Sequence, residues 1–230
     1  MFRVRSVLVA FLAVGTLGAQ ALVAQDLSRY RGFVLGSNVA TVVTESGVRA
    51  SDIKTPYDRP AKIQELEWPA WYARADNGLA DPVRTVVFSF VDDQLYQVVV
   101  TYDRDRTEGL TNEDVIESVS AAYGVPPLLQ GRTAADVVPA AMTTRTPVVA
   151  RWEDTESLMI LTRDTYPPEF QLILVSKTLK ARALSAIKEA VGLDKQEAPQ
   201  RAIDQRNKTV ADARVASQKA RVTNKAAFKP

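Results

Sequence analysis

Hydrophobic and polar positions alternate most clearly in the middle of the chain. Val83 to Val91 (VRTVVFSFV) and Gln94 to Asp103 (QLYQVVVTYD) are rich in Val and aromatic residues and are separated by Asp92-Asp93. That pattern predicts a β-hairpin over 83–103. Ala61 to Trp68 (AKIQELEW) reads as a further strand. Pro147 to Glu153, Leu158 to Arg163 and Phe170 to Ser176 read as three more, with Tyr166-Pro167-Pro168 as a turn. Helical spacing appears in three places. Ser37 as N-cap, Val39, Val42 and Val43, and Gly47 as stop predict a helix over 38–46. Thr111 and Asp114 form a T-x-x-D capping box ahead of Val115, Val119 and Tyr123, and Gly124 ends a helix over 112–123. Leu184, Ile187 and Val191 predict one apolar face on a helix over 179–191.

The order of these elements repeats. Each half reads helix, Gly, long loop, strand ending near a Trp, then hairpin. Gly47 and Gly124 are 77 positions apart, and Trp68 and Trp152 are 84 apart. A repeat of this size is one supersecondary unit used twice. The fold class expected is α+β: two αβββ-like units forming an antiparallel sheet with helices on one face, plus a C-terminal basic tail that is helical or disordered. The divisions are 1–24 signal peptide, 25–107 first unit, 108–193 second unit and 194–230 tail.

The unit opening Phe33-Val34-Leu35-Gly36-Ser37, with Val39, Val43 and Gly47, resembles the SmpA/OmlA type of periplasmic outer-membrane assembly domain. Two such units in one chain are similar to the beta-lactamase inhibitor protein fold. The motif covers about 15 residues of each unit, Phe33 to Gly47 in the first. The resemblance implies the architecture only and carries no functional residue. This chain departs from both families in having no Cys, where the first group carries a lipid anchor and the second disulfides.

The N-terminus has the three parts of a secretory signal. Arg3 and Arg5 are basic, Val7 to Val14 are apolar, and Ala19-Gln20-Ala21 has the A-x-A form of a cleavage site. Ala24 offers a second site, with the mature chain starting at Gln25. An uncleaved anchor is the competing reading, but Gly15, Thr16, Gly18 and Gln20 dilute a stretch that would need about 20 apolar residues to span a bilayer. The expected localisation is periplasmic or secreted, with no transmembrane span after signal cleavage.

Composition narrows the chemistry. With no Cys and no His among 230 residues, thiol catalysis, thiolate metal sites, imidazole bases and imidazole ligands are all excluded. The net charge of +2 conceals an asymmetry. Residues 195–230 carry nine Lys/Arg against three Asp/Glu, and residues 25–194 carry 18 against 24. An acidic body thus bears a basic extension.

Candidate binding residues are Trp71, Tyr72 and Arg74, in the stretch Trp68-Pro69-Ala70-Trp71-Tyr72-Ala73-Arg74. Trp, Tyr and Arg are enriched in binding hot spots. Trp68, at a strand end, reads as core. Trp71 and Tyr72 either close the end of the sheet or form a contact surface. Pro199 separates the tail from the preceding helix, and within the tail Arg201, Arg206, Lys208, Arg214, Lys219 and Arg221 are candidates for attachment to an anionic surface. Asp92-Asp93 and Asp103-Arg104-Asp105-Arg106 lack the ligand spacing of a Ca²⁺ loop. Ser185-Ala186-Ile187-Lys188 matches S-x-x-K without its companion motifs. No catalytic residue, metal site or cofactor is assigned. The reading is an exported, non-catalytic binding protein of the bacterial envelope, in envelope assembly or maintenance. Its partner is an envelope protein or anionic envelope surface, and no nucleic acid is expected. The alternatives are a secreted inhibitor of a hydrolase and a carboxylate-dependent hydrolase.

Overall fold

The structure is a computed structural model that describes residues 26–69, 81–126 and 146–227. A short ribbon of β1 (Arg29–Tyr30) and β2 (Phe33–Val34) leads into helix α1 (Val39–Ser46). Then follow β3 (Lys54–Tyr57), β4 (Ile63–Pro69), β5 (Val83–Val91) and β6 (Gln94–Tyr102). A one-turn helix α2 (Arg104–Thr107) and the longer α3 (Asn112–Tyr123) connect to β7 (Val148–Glu153), β8 (Ser157–Arg163) and β9 (Phe170–Ser176). Helix α4 (Lys177–Ala227) closes the described chain. The mixed α+β class is as expected.

The seven-stranded sheet has the order β3-β4-β5-β6-β9-β8-β7, and every pairing is antiparallel. The two hairpin-containing halves therefore meet at β6 and β9, the last strand of each. Registers place Trp68, Val86, Val100, Leu172, Leu161 and Ala150 in one row across six strands. Leu66, Phe88, Val98, Leu174, Met159 and Trp152 form the adjacent row. All twelve are buried, and with Val42 of α1 and Val115 and Val119 of α3 they make the main core. Helices α1 and α3 thus cover one sheet face, because period-2 alternation points every second side chain toward them.

The turn at Asp92-Asp93 has φ of 45° and 64° at its two residues. Two consecutive positive φ values give the backbone twist that suits a tight hairpin. Helix α1 is capped by Asn38 rather than Ser37, its side chain accepting from the Ala40 N–H at 2.9 Å. Ser37 is unavailable because its carbonyl accepts from Leu95 N at 2.9 Å, pinning it beside β6. Helix α3 has the capping box the sequence announces: Thr111 accepts from Asp114 N, and the Asp114 carboxylate accepts from Thr111 N at 2.8 Å.

Two expectations about the C-terminal region are corrected. The apolar face of the helix expected over 179–191 from Leu184, Ile187 and Val191 holds for Ile187, which packs on the sheet, but it is centred on alanines. Ala183, Ala186 and Ala190 are the buried residues of α4, joined by half-buried Leu179 and Ile187, and Val191 is exposed. The small side chains let the helix lie close to Ile63, Val91 and Tyr96 on the sheet face opposite α1 and α3. Nor does Pro199 separate the tail from this helix, for α4 continues through it to Ala227. The missing proline N–H removes one hydrogen bond, but the helix on either side is long enough to hold its course.

Candidate functional site

The residues that the sequence singles out scatter. Trp71, Tyr72 and Arg74 lie outside the described residues, as does the signal segment 1–24. Trp68 is core: its ring meets Phe33 edge-on at 5.3 Å between centroids and lies 6.3 Å from Phe88. Its indole Nε1 is buried with no hydrogen-bond partner among the described residues. Asp92 accepts from Lys62 N at 3.0 Å and pairs with Arg182, so the acidic turn anchors neighbouring structure. Asp103 caps α2 by accepting from Asp105 N and Arg106 N. Ser185 and Lys188 are not buried and line no described cleft.

The tail candidates all fall on α4. Residues 198–227 are exposed on every side. Arg201 is engaged by Asp194 at 2.7 Å and by Glu197 at 3.7 Å. Glu197 also takes both guanidinium nitrogens of Arg59, which holds its carboxyl below the ordinary range. Arg206, Lys208, Arg214, Lys219 and Arg221 have no acid within ion-pair distance among the described residues. No helix of the described residues is long and apolar enough to cross a membrane.

A cleft that the sequence does not announce lies where α2 and α3 meet the sheet. Its volume is about 390 Å³. Val83, Leu110, Val115, Val119 and Leu172 supply apolar walls, and Ala122 sits on the α3 rim. Three phenols, of Tyr30, Tyr102 and Tyr123, converge there with Arg31. Burial pushes the Tyr102 hydroxyl up to about 12 and that of Tyr30 higher still, while Tyr123 is raised for the same reason. The Tyr123 hydroxyl donates to the Arg29 carbonyl at 3.0 Å, tying α3 to β1. Arg31 holds a φ of 53°, and that turn aims its guanidinium at Asp81 (2.8 Å) and over the Tyr30 and Trp68 rings. Its charge is therefore balanced inside the site. Arg106 lines the same cleft with no such partner among the described residues.

A smaller recess of about 90 Å³ adjoins it, lined by Arg104, Thr107, Glu108, Gly109, Arg163 and Phe170, with Pro168 at its edge. Beyond Arg163 is a shallow groove beside Asn112, Val148 and Asp164. Each of these two spaces has one lining carboxylate, Glu108 or Asp164, and the cleft between α2, α3 and the sheet has none. None therefore has the facing carboxylate pair that acid–base hydrolysis uses. Among the described residues no cluster of three potential ligating side chains could hold a metal ion. What the cleft offers chemically is burial of an apolar group beside phenol and guanidinium donors. The three tyrosines are 72 and 21 positions apart, at Tyr30, Tyr102 and Tyr123, so no linear motif marks them. The apolar face of α3 was the single legible part.

No protein-family model, no curated protein and no solved structure matches this chain.

Proposed function

We propose that this is an exported, non-catalytic binding protein of the bacterial envelope whose basic helix attaches it to an anionic envelope surface. The observation that carries the reading is the outer part of α4. Ala190 is the last buried residue of the helix and Glu197 still pairs with Arg59, and from 198 the helix runs on exposed to Ala227. At about 1.5 Å per residue, the stretch 198–227 reaches about 45 Å. Along it Arg206, Lys208, Arg214, Lys219 and Arg221 project without neutralising acids among the described residues. A helix that is polar all round gains nothing from a core, so its cost is offset only by what it touches. Attraction between that charge and phosphate-rich lipid would supply the contact, and it would be screened by salt. The signal-like N-terminus supports export.

The test is vesicle co-sedimentation. The protein should bind vesicles of anionic phospholipid, not zwitterionic ones, and release steeply as salt rises. A chain ending at Leu193 keeps the body but lacks the exposed helix. Equal vesicle binding by that shortened chain sinks the reading. A pulldown from envelope extract, with Trp71→Ala/Tyr72→Ala beside the parent, tests a protein partner separately. Loss of a partner in the double variant would assign it to the aromatic stretch.

A further inference from the structure

We propose that the apolar cleft and the recess beside Arg163 form one binding site for a medium-chain carboxylate, its alkyl chain in the cleft and its head group in the recess. The proposal uses no residue of the exposed helix, so it stands or falls apart from the attachment reading.

Four observations carry it. First, the two spaces are neighbours. Thr107 lines both. Leu172 lines the cleft and Phe170 the recess, and they are alternate residues on one face of β9, about 7 Å apart. Second, the polarity is divided between them. The cleft lining is mostly apolar, with Arg31 neutralised by Asp81 and Arg106 at an exposed position, whereas the recess is lined by both Arg104 and Arg163. Third, Arg163 is a half-buried cation with no counter-ion among the described residues. Its Nη1 donates to Asn112 Oδ1 at 3.1 Å, and its guanidinium lies 4.7 Å from the Phe170 ring centroid. Both partners are neutral, and no carboxylate is within ion-pair distance of it among the described residues. A charge taken partly out of water and left without an opposite charge is disfavoured in proportion to its burial, so an anion brought to it is favoured. The neighbouring Asp164 carboxylate is engaged by Thr146 Oγ1 at 2.8 Å. Glu108 also lines the recess, at an exposed position beside Arg104 and Arg163.

Fourth, the sizes fit. The cleft, at about 390 Å³, has room for an alkyl chain, and the recess, at about 90 Å³, for a small head group. Arg is the side chain suited to a planar carboxylate, because its fork donates two parallel hydrogen bonds. The phenols of Tyr30 and Tyr102 remain uncharged at neutral pH, so they do not repel the ligand.

The experiment is titration calorimetry of the purified protein with dodecanoate below its micelle concentration. Dodecan-1-ol and acetate are the arms that carry chain alone and head alone. Dodecanoate should bind one per chain, at least tenfold more tightly than the alcohol, and acetate should give no saturable heat. Ala122→Phe, which fills the cleft from its exposed rim, should abolish binding of both long-chain probes. Arg163→Gln should weaken dodecanoate at least tenfold and leave the alcohol unchanged. Arg104→Gln, at an exposed position, repeats that test without touching the Asn112 contact, and thermal melts confirm that each variant is folded. No binding of dodecanoate overturns the proposal. So does equal affinity for acid and alcohol, or binding undiminished by Ala122→Phe.

Discussion

Trp68 and Trp152 occupy equivalent ends of two neighbouring rows of side chains. Trp68 begins the row that runs through Val86 and Val100, and Trp152 begins the antiparallel one through Met159 and Leu174. The order β4-β5-β6-β9-β8-β7 makes them correspond, since reversing it exchanges the two halves. Their surroundings differ. The Trp152 indole donates to the Gly124 carbonyl at 2.6 Å, fastening the end of α3 to β7. The Trp68 indole has no acceptor among the described residues.

Unequal costs follow for the same substitution. Trp152→Phe strands the Gly124 carbonyl and should destabilise by about 1–3 kcal/mol beyond the loss of ring volume. Trp68→Phe removes a donor that has no partner among the described residues and should cost less. Urea denaturation of the two variants side by side checks this, and an equal loss would contradict it.

The capping box of α3 gives a second expectation. Thr111→Ala should destabilise by about 0.5–2 kcal/mol. The backbone and side-chain hydrogen bonds of Thr111 hold the Asp114 carboxyl below its ordinary value. A depressed folded value means that the contribution is present above the unfolded carboxylate pKa and is lost as pH falls through the folded one. The gap between wild type and Thr111→Ala should therefore narrow in acid. Thermal melts across pH 3 to 7, a range about the carboxylate values, would show it.

The tyrosines reverse that sign. Burial holds Tyr102 at about 12 and raises Tyr30 and Tyr123, whereas an unfolded tyrosine ionises near pH 10. Between those limits the unfolded chain loses protons that the folded one keeps. Stability should be unaffected by these groups below pH about 10 and fall as pH rises toward 12. Absorbance titration of phenolate, run beside unfolding, should show a delayed class of tyrosines that Tyr102→Phe reduces by one.

Close packing of α4 on the sheet depends on small residues. Ala183 is fully buried against the second sheet face. Ala183→Leu forces extra volume into that contact and should cost about 1–3 kcal/mol. Ala213→Leu, on the exposed stretch, should change stability little, and denaturant midpoints of the two variants test the contrast.

A last expectation concerns Arg59 and Glu197, which bring the 59–60 corner and α4 together across 138 positions at 2.9 and 2.5 Å. Glu197→Gln should quicken amide hydrogen exchange around residues 191–200 while leaving β5 and β6 unchanged. Acid should reproduce that effect in the wild type, because the lowered Glu197 carboxyl loses its pairing as pH falls through its folded value.

Much of the secondary structure was legible locally. The Val- and Phe-rich hairpin, the T-x-x-D box and the three C-terminal strands express periodicity and capping within a few residues of one another. Ser37 was displaced as a cap by a contact with Leu95, which sits far along the chain. The Ala face of α4 was missed because alanine is too weakly apolar to stand out beside Leu184 and Val191. The cleft was not legible either. Its phenols come from β1, β6 and α3, and nothing in their spacing announces that they meet.

By itself the sequence determined the α+β class, the hairpin and helix boundaries near their caps, the acidic body with its basic extension, and the exclusion of thiol and imidazole chemistry. Those depend on composition or on neighbours in the chain. Only the tertiary structure decided that the two halves join at β6 and β9, that α4 lays its Ala face on Ile63, Val91 and Tyr96, and that Arg163 is half-buried with no acid in ion-pair range among the described residues. Each of these depends on residues brought together from distant positions, where the energy of packing and of unpaired charge, and not local preference, selects the arrangement.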